Sequence, residues 1–384
     1  MSSFVFFVGI SFIIQINEGS FKFNNMILWI CVFFGFACLS IIWAPSNGNV
    51  LSLNTTFLQL IFIVFCLTNI IKNDEDIELV LKCLIYSLLF TAIMLLIRTP
   101  FEQWGTERIG ESIGLNSNDV GFRFAIGIIL SFYFVNTKKK YYYIIYIIAF
   151  MLLVIFSGSR KGFIMAVVGI IVSSIYSGRK NTDYKAILSK LLKIVLASIA
   201  LILIAYFVMN NKIFYSIIGV RMEDLFSAVV GESSGDASII ERNFFKEQAW
   251  QLFLSHPFIG YGHNCFPVYL KSIGYGFLTY SHNNYLELLS STGIVGFAIY
   301  YSMIISMMIS LLKMWFCKKK NGPILFVFTF IMLLVLFISW WQVNYSSKFL
   351  IVIYSLVYMF IKVEKKGGLY NNEFEKTNHC NNQP

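Results

Sequence analysis

Apolar residues run through this chain in long blocks, and polar or basic residues gather in the short stretches between them. A membrane-crossing helix needs about 20 mostly apolar residues, within a range of roughly 17–25. Blocks of about this length cover 3–16, 26–43, 51–71, 79–97, 119–135, 141–157, 162–177, 187–209, 284–312, 323–341 and 346–362. The pattern predicts an all-α integral membrane protein with about 11 (10–12) transmembrane helices. Its organisation follows: N-terminal transmembrane helices over 1–209, a large loop over 210–283, C-terminal helices over 284–362 and a flexible tail over 363–384.

The loop is more than a linker. Phe244, Phe245, Trp250, Leu252 and Phe253 stand at near-helical spacing and predict an amphipathic helix from about 239 to 255, stopped before His256-Pro257. A glycine-punctuated stretch follows, Gly260-Tyr261-Gly262-His263-Asn264. Long ordered loops are usually functional, and the aromatic content argues against disorder.

Composition agrees with a membrane protein: 57% of residues are hydrophobic and 13% are charged, about half the share in soluble proteins. The formal net charge of +10 does not point to nucleic acid, because no folded basic face is available. The Lys and Arg residues cluster instead in 136–140, 178–190, 313–322 and the tail from Lys362. Counting spans between these segments puts them on one side, which the positive-inside bias makes the cytoplasm. Segments 98–118, 158–161, 210–283 and 342–345 then face outward, and so does the N-terminus. The large loop has five Lys/Arg against six Asp/Glu, as an exported segment should. Seven Cys are present without a Cys-x-x-Cys pair, and the four His are scattered, so no metal site is expected.

Few residues can carry chemistry. Arg160, in Ser157-Gly158-Ser159-Arg160-Lys161-Gly162, sits in a short outward turn where anchoring positive charge is not expected. Its guanidinium can fork two hydrogen bonds to a phosphate, which a lysine cannot. His282 precedes Asn283 where the loop enters the next span, and its ordinary pKa of about 6.5 suits a base near neutral pH. A lone His at a helix start is, however, more often an interfacial polar residue. Supporting candidates are Arg242 on the loop helix, Glu287 one turn into the span with an arginine as its expected partner, Arg123 near the outer end of its span, and Arg108 on the outward loop. His256 and His263 read as structural.

Three pieces of this pattern resemble the O-antigen ligase / surface polysaccharide polymerase superfamily of bacterial membranes. They are Ser-Gly-Ser-Arg160 between two central spans; Arg242, Trp250, His256-Pro257 and Gly260-Tyr261-Gly262 in the loop; and His282-Asn283 followed, after nine residues, by Gly293-x-x-Gly296. Arg108, Gly110, Asn116 and Asn118 resemble the family's upstream segment more loosely. The likeness implies a single helical bundle under a partly helical periplasmic cap, in the bacterial inner membrane, with the active site on the periplasmic side. It implies transfer of a glycan from an undecaprenyl diphosphate carrier to an acceptor sugar hydroxyl, with no cofactor and no metal. Carried over residue by residue, Arg160 and Arg242 bind the diphosphate and His282 is the catalytic base.

Two readings stand within the superfamily. A polymerase joins lipid-linked repeat units, and a ligase moves the finished glycan to lipid A–core. The Ser-Gly-Ser-Arg-Lys-Gly wording and the Phe/Tyr/Ile/Lys/Asn-rich composition resemble the polymerases. The expected partners are undecaprenyl-diphosphate-linked oligosaccharides as donor and acceptor, membrane lipid, a chain-length regulator and a flippase; nucleic acid is not one. A transporter or flippase is the alternative from another class, but such proteins tend to show internal repeats and a midplane site, and no repeat is visible here.

Overall fold

The blocks that read as spans are helices in the computed structural model, which describes residues 22–104, 109–176, 237–276, 279–316 and 322–380, with isolated positions between 206 and 215. In chain order the helices are α1 (Asn25–Leu39), α2 (Asn47–Ser52), α3 (Asn54–Ile70), α4 (Asp74–Arg98), α5 (Ser117–Lys138), α6 (Tyr143–Phe156), α7 (Arg160–Tyr176), α8 (Ala237–Ser255), α9 (Phe266–Ser272), α10 (Asn284–Phe316), α11 (Gly322–Ile338) and α12 (Lys348–Cys380). Among the described residues there is no strand. Among the described residues, five segments are long and apolar enough to cross a membrane: Asn25–Ile42, Asn47–Ile70, Asp74–Arg98, Ser117–Lys138 and Asn284–Phe316. Helices α6 and α11 are apolar but shorter. The expected spans at 3–16 and 187–209 lie outside the described residues, as does most of the loop before Ala237.

The chain forms two compact units. Unit 1 comprises Met1–Val80, Ile240–Lys318 and Val335–Pro384; unit 2 comprises Leu81–Ile239 and Lys319–Leu334.

In unit 1 the first part of α12 is buried on nearly every side, from Phe349 to Ile361. A helix that is apolar all round belongs inside a bundle. Met26, Ile30, Phe33 and Ala37 line one face of α1, and Phe57, Leu60, Val64 and Leu67 line one face of α3. These spacings of three and four residues make a single stripe on each helix. The Trp29 indole N–H ties α1 to α10 by donating to the Ile299 carbonyl at 2.8 Å.

In unit 2 the central element is α5, packed on α6 and α7. Gly121 on α5 and Gly162 on α7 face each other at the crossing, and a Cβ on Gly162 would stand 2.6 Å from the Gly121 backbone. Small residues allow two membrane helices this approach, where packing replaces the missing hydrophobic drive.

Candidate functional site

In unit 2 the Ser157–Gly162 stretch is a tight turn between α6 and α7. Gly158 takes a positive φ of 60°. The Ser157 amide closes on the Leu153 carbonyl at 2.9 Å, and the Ser157 hydroxyl donates to the Val154 carbonyl at 2.7 Å. The Ser159 hydroxyl accepts the Gly162 amide at 3.2 Å, the bond of an N-cap three residues into a helix. It also reaches Asn118 Oδ1 on α5, at 3.2 Å. Ser157 and Ser159 are fully buried. The two serines of the motif therefore build the turn, and Arg160, half-buried, is the first residue of α7. Asn118, noted in the sequence only as part of a looser likeness, is a fixed point of this turn. Arg123 lies two residues past Gly121, with Asp119 one turn earlier as a charge partner. Arg108 lies outside the described residues.

Unit 1 carries the other candidates. The apolar face of α8 presents Phe245, Ala249 and Leu252 to Phe266 and Leu270 of α9, forming a small core in the loop. Helix α9 has no counterpart in the sequence reading; Pro267 at its first turn is its one local signal. The Tyr275 hydroxyl pins the start of α8 by bonding Glu241 at 2.5 Å, which raises its own pKa.

His282 stands beside this core. Its ring lies nearly parallel to that of Phe245, 25° between planes and 6.0 Å between centroids, and 4.4 Å from that of Tyr280. Arg242 precedes Phe245 by three residues and so shares its side of α8. Lys246 follows Arg242 by four. Burial, and then the Arg242 charge, lower the pKa of Lys246, so two cations share one face of α8. Lys246 was not singled out in the sequence.

The backbone of His282 is strained. Its φ is +56°, a region that non-glycine residues visit rarely and at a cost of about 1–2 kcal/mol. Two neighbours hold it there. Asn283 caps α10, its Oδ1 accepting the amides of Tyr285 at 2.9 Å and Leu286 at 3.1 Å. Glu287, almost fully buried, accepts the Ser281 amide at 2.8 Å. An arginine was the partner expected for Glu287. Its carboxylate serves the backbone instead, because the loop before α10 turns back and needs an acceptor inside the protein. One further link secures the start of α10: Asn284 Oδ1 accepts the amides of Asn344 and Tyr345, at 2.8 and 2.9 Å.

The expected span over 284–312 is not continuous. Helix α10 breaks at Gly293, where φ is 63° and ψ −171°. A break inside a membrane helix frees backbone groups that must find partners in the protein. Segment 257–262 supplies partners for four of them. The Tyr261 and Gly262 amides donate to the Ser290 and Ser291 carbonyls at 2.9 and 3.0 Å, and the Ile294 and Val295 amides donate to the Pro257 and Phe258 carbonyls at 2.8 and 3.2 Å. The two backbones touch, and a Cβ on Gly260 would collide with Ser291, Thr292 and Gly293. Gly260 and Gly293 are thus two halves of one contact. The result is a short half-helix, 284–292, whose start carries His282.

His256 is exposed, with its Nδ1 2.9 Å from the Ser255 hydroxyl. His263 is buried among Phe33, Phe57 and Tyr345, and neither ring nitrogen has a hydrogen-bond partner. No cluster of His, Cys, Asp or Glu among the described residues could hold a metal. The Asn283 side-chain amide is buried with its nitrogen unpartnered, a spare donor next to His282.

The structure therefore groups the candidates in two sets. In unit 1, His282, Asn283 and Glu287 stand at the start of α10, and Arg242 and Lys246 lie on α8, whose Phe245 meets the His282 ring. Arg160 and Arg123 flank the α5–α7 crossing of unit 2.

Residues 143–301 match the family model described as O-antigen ligase. The matched stretch includes Arg160, Arg242, His282 and the Gly260–Gly293 contact, and it bears out the resemblance to the superfamily of O-antigen ligases and polymerases. No curated protein matches the chain. Members of the matched family are membrane glycosyltransferase-like enzymes, and the apolar helices agree with a multi-pass membrane protein.

Proposed function

We propose that this protein polymerises surface polysaccharide, joining oligosaccharide repeat units carried on undecaprenyl diphosphate at the periplasmic face of the inner membrane. One observation carries the reading most: a half-buried imidazole on a strained backbone, held at the start of a half-helix, with two cations on the neighbouring helix face.

The chemistry follows from those groups. His282 takes the proton of the acceptor hydroxyl as its oxygen bonds to the anomeric carbon. The bond from that carbon to the diphosphate breaks, and the electron pair leaves with the carrier. Single displacement inverts the anomeric configuration. Charge grows on the diphosphate as the bond opens, and Arg242, with Lys246 in support, is assigned to stabilise it; the same role for Arg160 rests on the family resemblance alone. A diphosphate is a good leaving group, so no general acid is required.

Replacing His282 tests this. Asn is the informative substitution, since it tolerates positive φ and leaves the turn intact while removing the base. Membranes with His282→Asn should contain normal amounts of protein and lose repeat-unit joining by 10²-fold or more, within the range of about 10²–10⁴ for a general base. Polymer of normal length would remove the assignment.

A second reading has its own support, the description of the matched family as O-antigen ligase. Gene deletion separates the two. Loss of a polymerase leaves single repeat units on the surface lipid; loss of a ligase leaves lipid-linked polymer inside and no repeat on the surface.

A further inference from the structure

Away from these residues, unit 1 has a hollow of about 260 Å³ lined by four lysines from three distant parts of the chain: Lys22, Lys72, Lys362 and Lys366. No Asp or Glu is among its lining residues. The convergence is built into the fold. The Lys22 amide donates to Asn69 Oδ1 at 2.7 Å, and Asn24 Nδ2 donates to the Thr68 hydroxyl at 2.8 Å, so the strand of chain before α1 is stapled to the end of α3. Asp76, in the first turn of α4, accepts the backbone amides of Lys72 and Asn73. Lys362 stands 5.9 Å over the Tyr358 ring, and the charges that act on it are those of Lys366 and Lys22, both of its own sign.

Like charges gathered in a concave site repel one another, and an anion placed among them relieves the repulsion. The surroundings say what kind of anion. The hollow lies at the ends of apolar helices, with Lys22 just before α1 and Lys72 just after α3, and Phe23, the chain neighbour of Lys22, is 67% exposed, as at a membrane border. Lysines at such a border attract anionic headgroups. We propose that Lys22, Lys72, Lys362 and Lys366 form a binding site for the phosphate headgroup of an anionic membrane lipid. The span count expected from the sequence puts this border on the cytoplasmic side, away from the proposed glycan transfer. The inference rests on the membrane reading and is independent of the reaction.

The test uses the full-length protein in neutral detergent, titrated with phosphatidylglycerol and read by native mass spectrometry. Wild type should bind the lipid at least tenfold more tightly than Lys22→Gln/Lys362→Gln, since each lysine near a membrane surface contributes about a fivefold effect. The double Arg variant should restore binding, which shows that charge and not loss of fold is responsible. Binding by wild type should also weaken steeply as salt rises. Equal affinity of wild type and the Gln variant would overturn the site, as would binding indifferent to salt. Displacement of the lipid by inorganic phosphate at equal concentration would instead make the occupant a soluble phosphate compound and overturn the lipid assignment.

Discussion

Acidification should loosen the segment around His263, and the size of the effect can be worked out. The ring is 1% exposed, packed against Phe57 at 5.4 Å and Tyr345 at 5.6 Å, while its backbone amide is tied to Ser40 Oγ at 3.0 Å. An imidazolium in this site would lose its water and gain no hydrogen bond. Burial accordingly pushes its pKa down from 6.5 to about 4. A group whose folded pKa lies below its unfolded value favours the fold in its unprotonated form. The stability is complete above pH 6.5 and is lost as the pH falls through 4. At 1.36 kcal/mol per unit, the gap between the two values amounts to about 3 kcal/mol. The assay is denaturant unfolding of the purified protein in detergent at pH 7, 6, 5 and 4, with hydrogen exchange of 256–275 as the local readout. His263→Gln keeps a polar side chain and removes the titration, so its stability should depend on pH about 3 kcal/mol less than that of wild type. Tyr345, raised by burial and by the Glu287 and Cys265 charges, remains neutral throughout and contributes nothing to the difference. Parallel loss of stability in wild type and variant between pH 6.5 and 4 would refute the reasoning.

Other outcomes follow from the same geometry. Gly260→Ala drives a methyl group into the backbone at Ser291–Gly293 and should lower stability by roughly 3 kcal/mol or more, seen as a fallen melting temperature or as lost membrane insertion. Glu287→Leu leaves the buried Ser281 amide without its acceptor, at a cost of about 1–3 kcal/mol, and should release the strained turn at His282; unchanged transfer in that variant would separate the turn from the reaction. Arg160→Lys keeps the charge and the helix but cannot fork to a phosphate, so glycan transfer should drop at least tenfold with protein levels intact, measured as polymer formed in membranes.

Hydropathy alone determined most of the architecture. Blocks of about 20 apolar residues have one solution in a bilayer, and helices occur at every predicted span within the described residues. The loop helix was legible for a similar reason: the spacing of Phe245 and Leu252 is local, and so is its stop before His256-Pro257. Arg160 and His282 could be picked out because charged or titratable groups at a membrane border are costly and few. The break in α10 was not legible as a break. Gly293-x-x-Gly296 fits inside an apolar run, and what stops the helix is a backbone 29 to 37 residues earlier in the chain that bonds four of its groups. The strain on His282 has the same origin, since it depends on Glu287 reaching back to Ser281. Nor could the Lys22–Lys366 hollow be seen, because its lysines come from three separate segments. Periodicity and charge are properties of neighbours along the chain, so the sequence displays them. Backbone partners and converging side chains arise only when distant segments pack together, and the fold alone decides them.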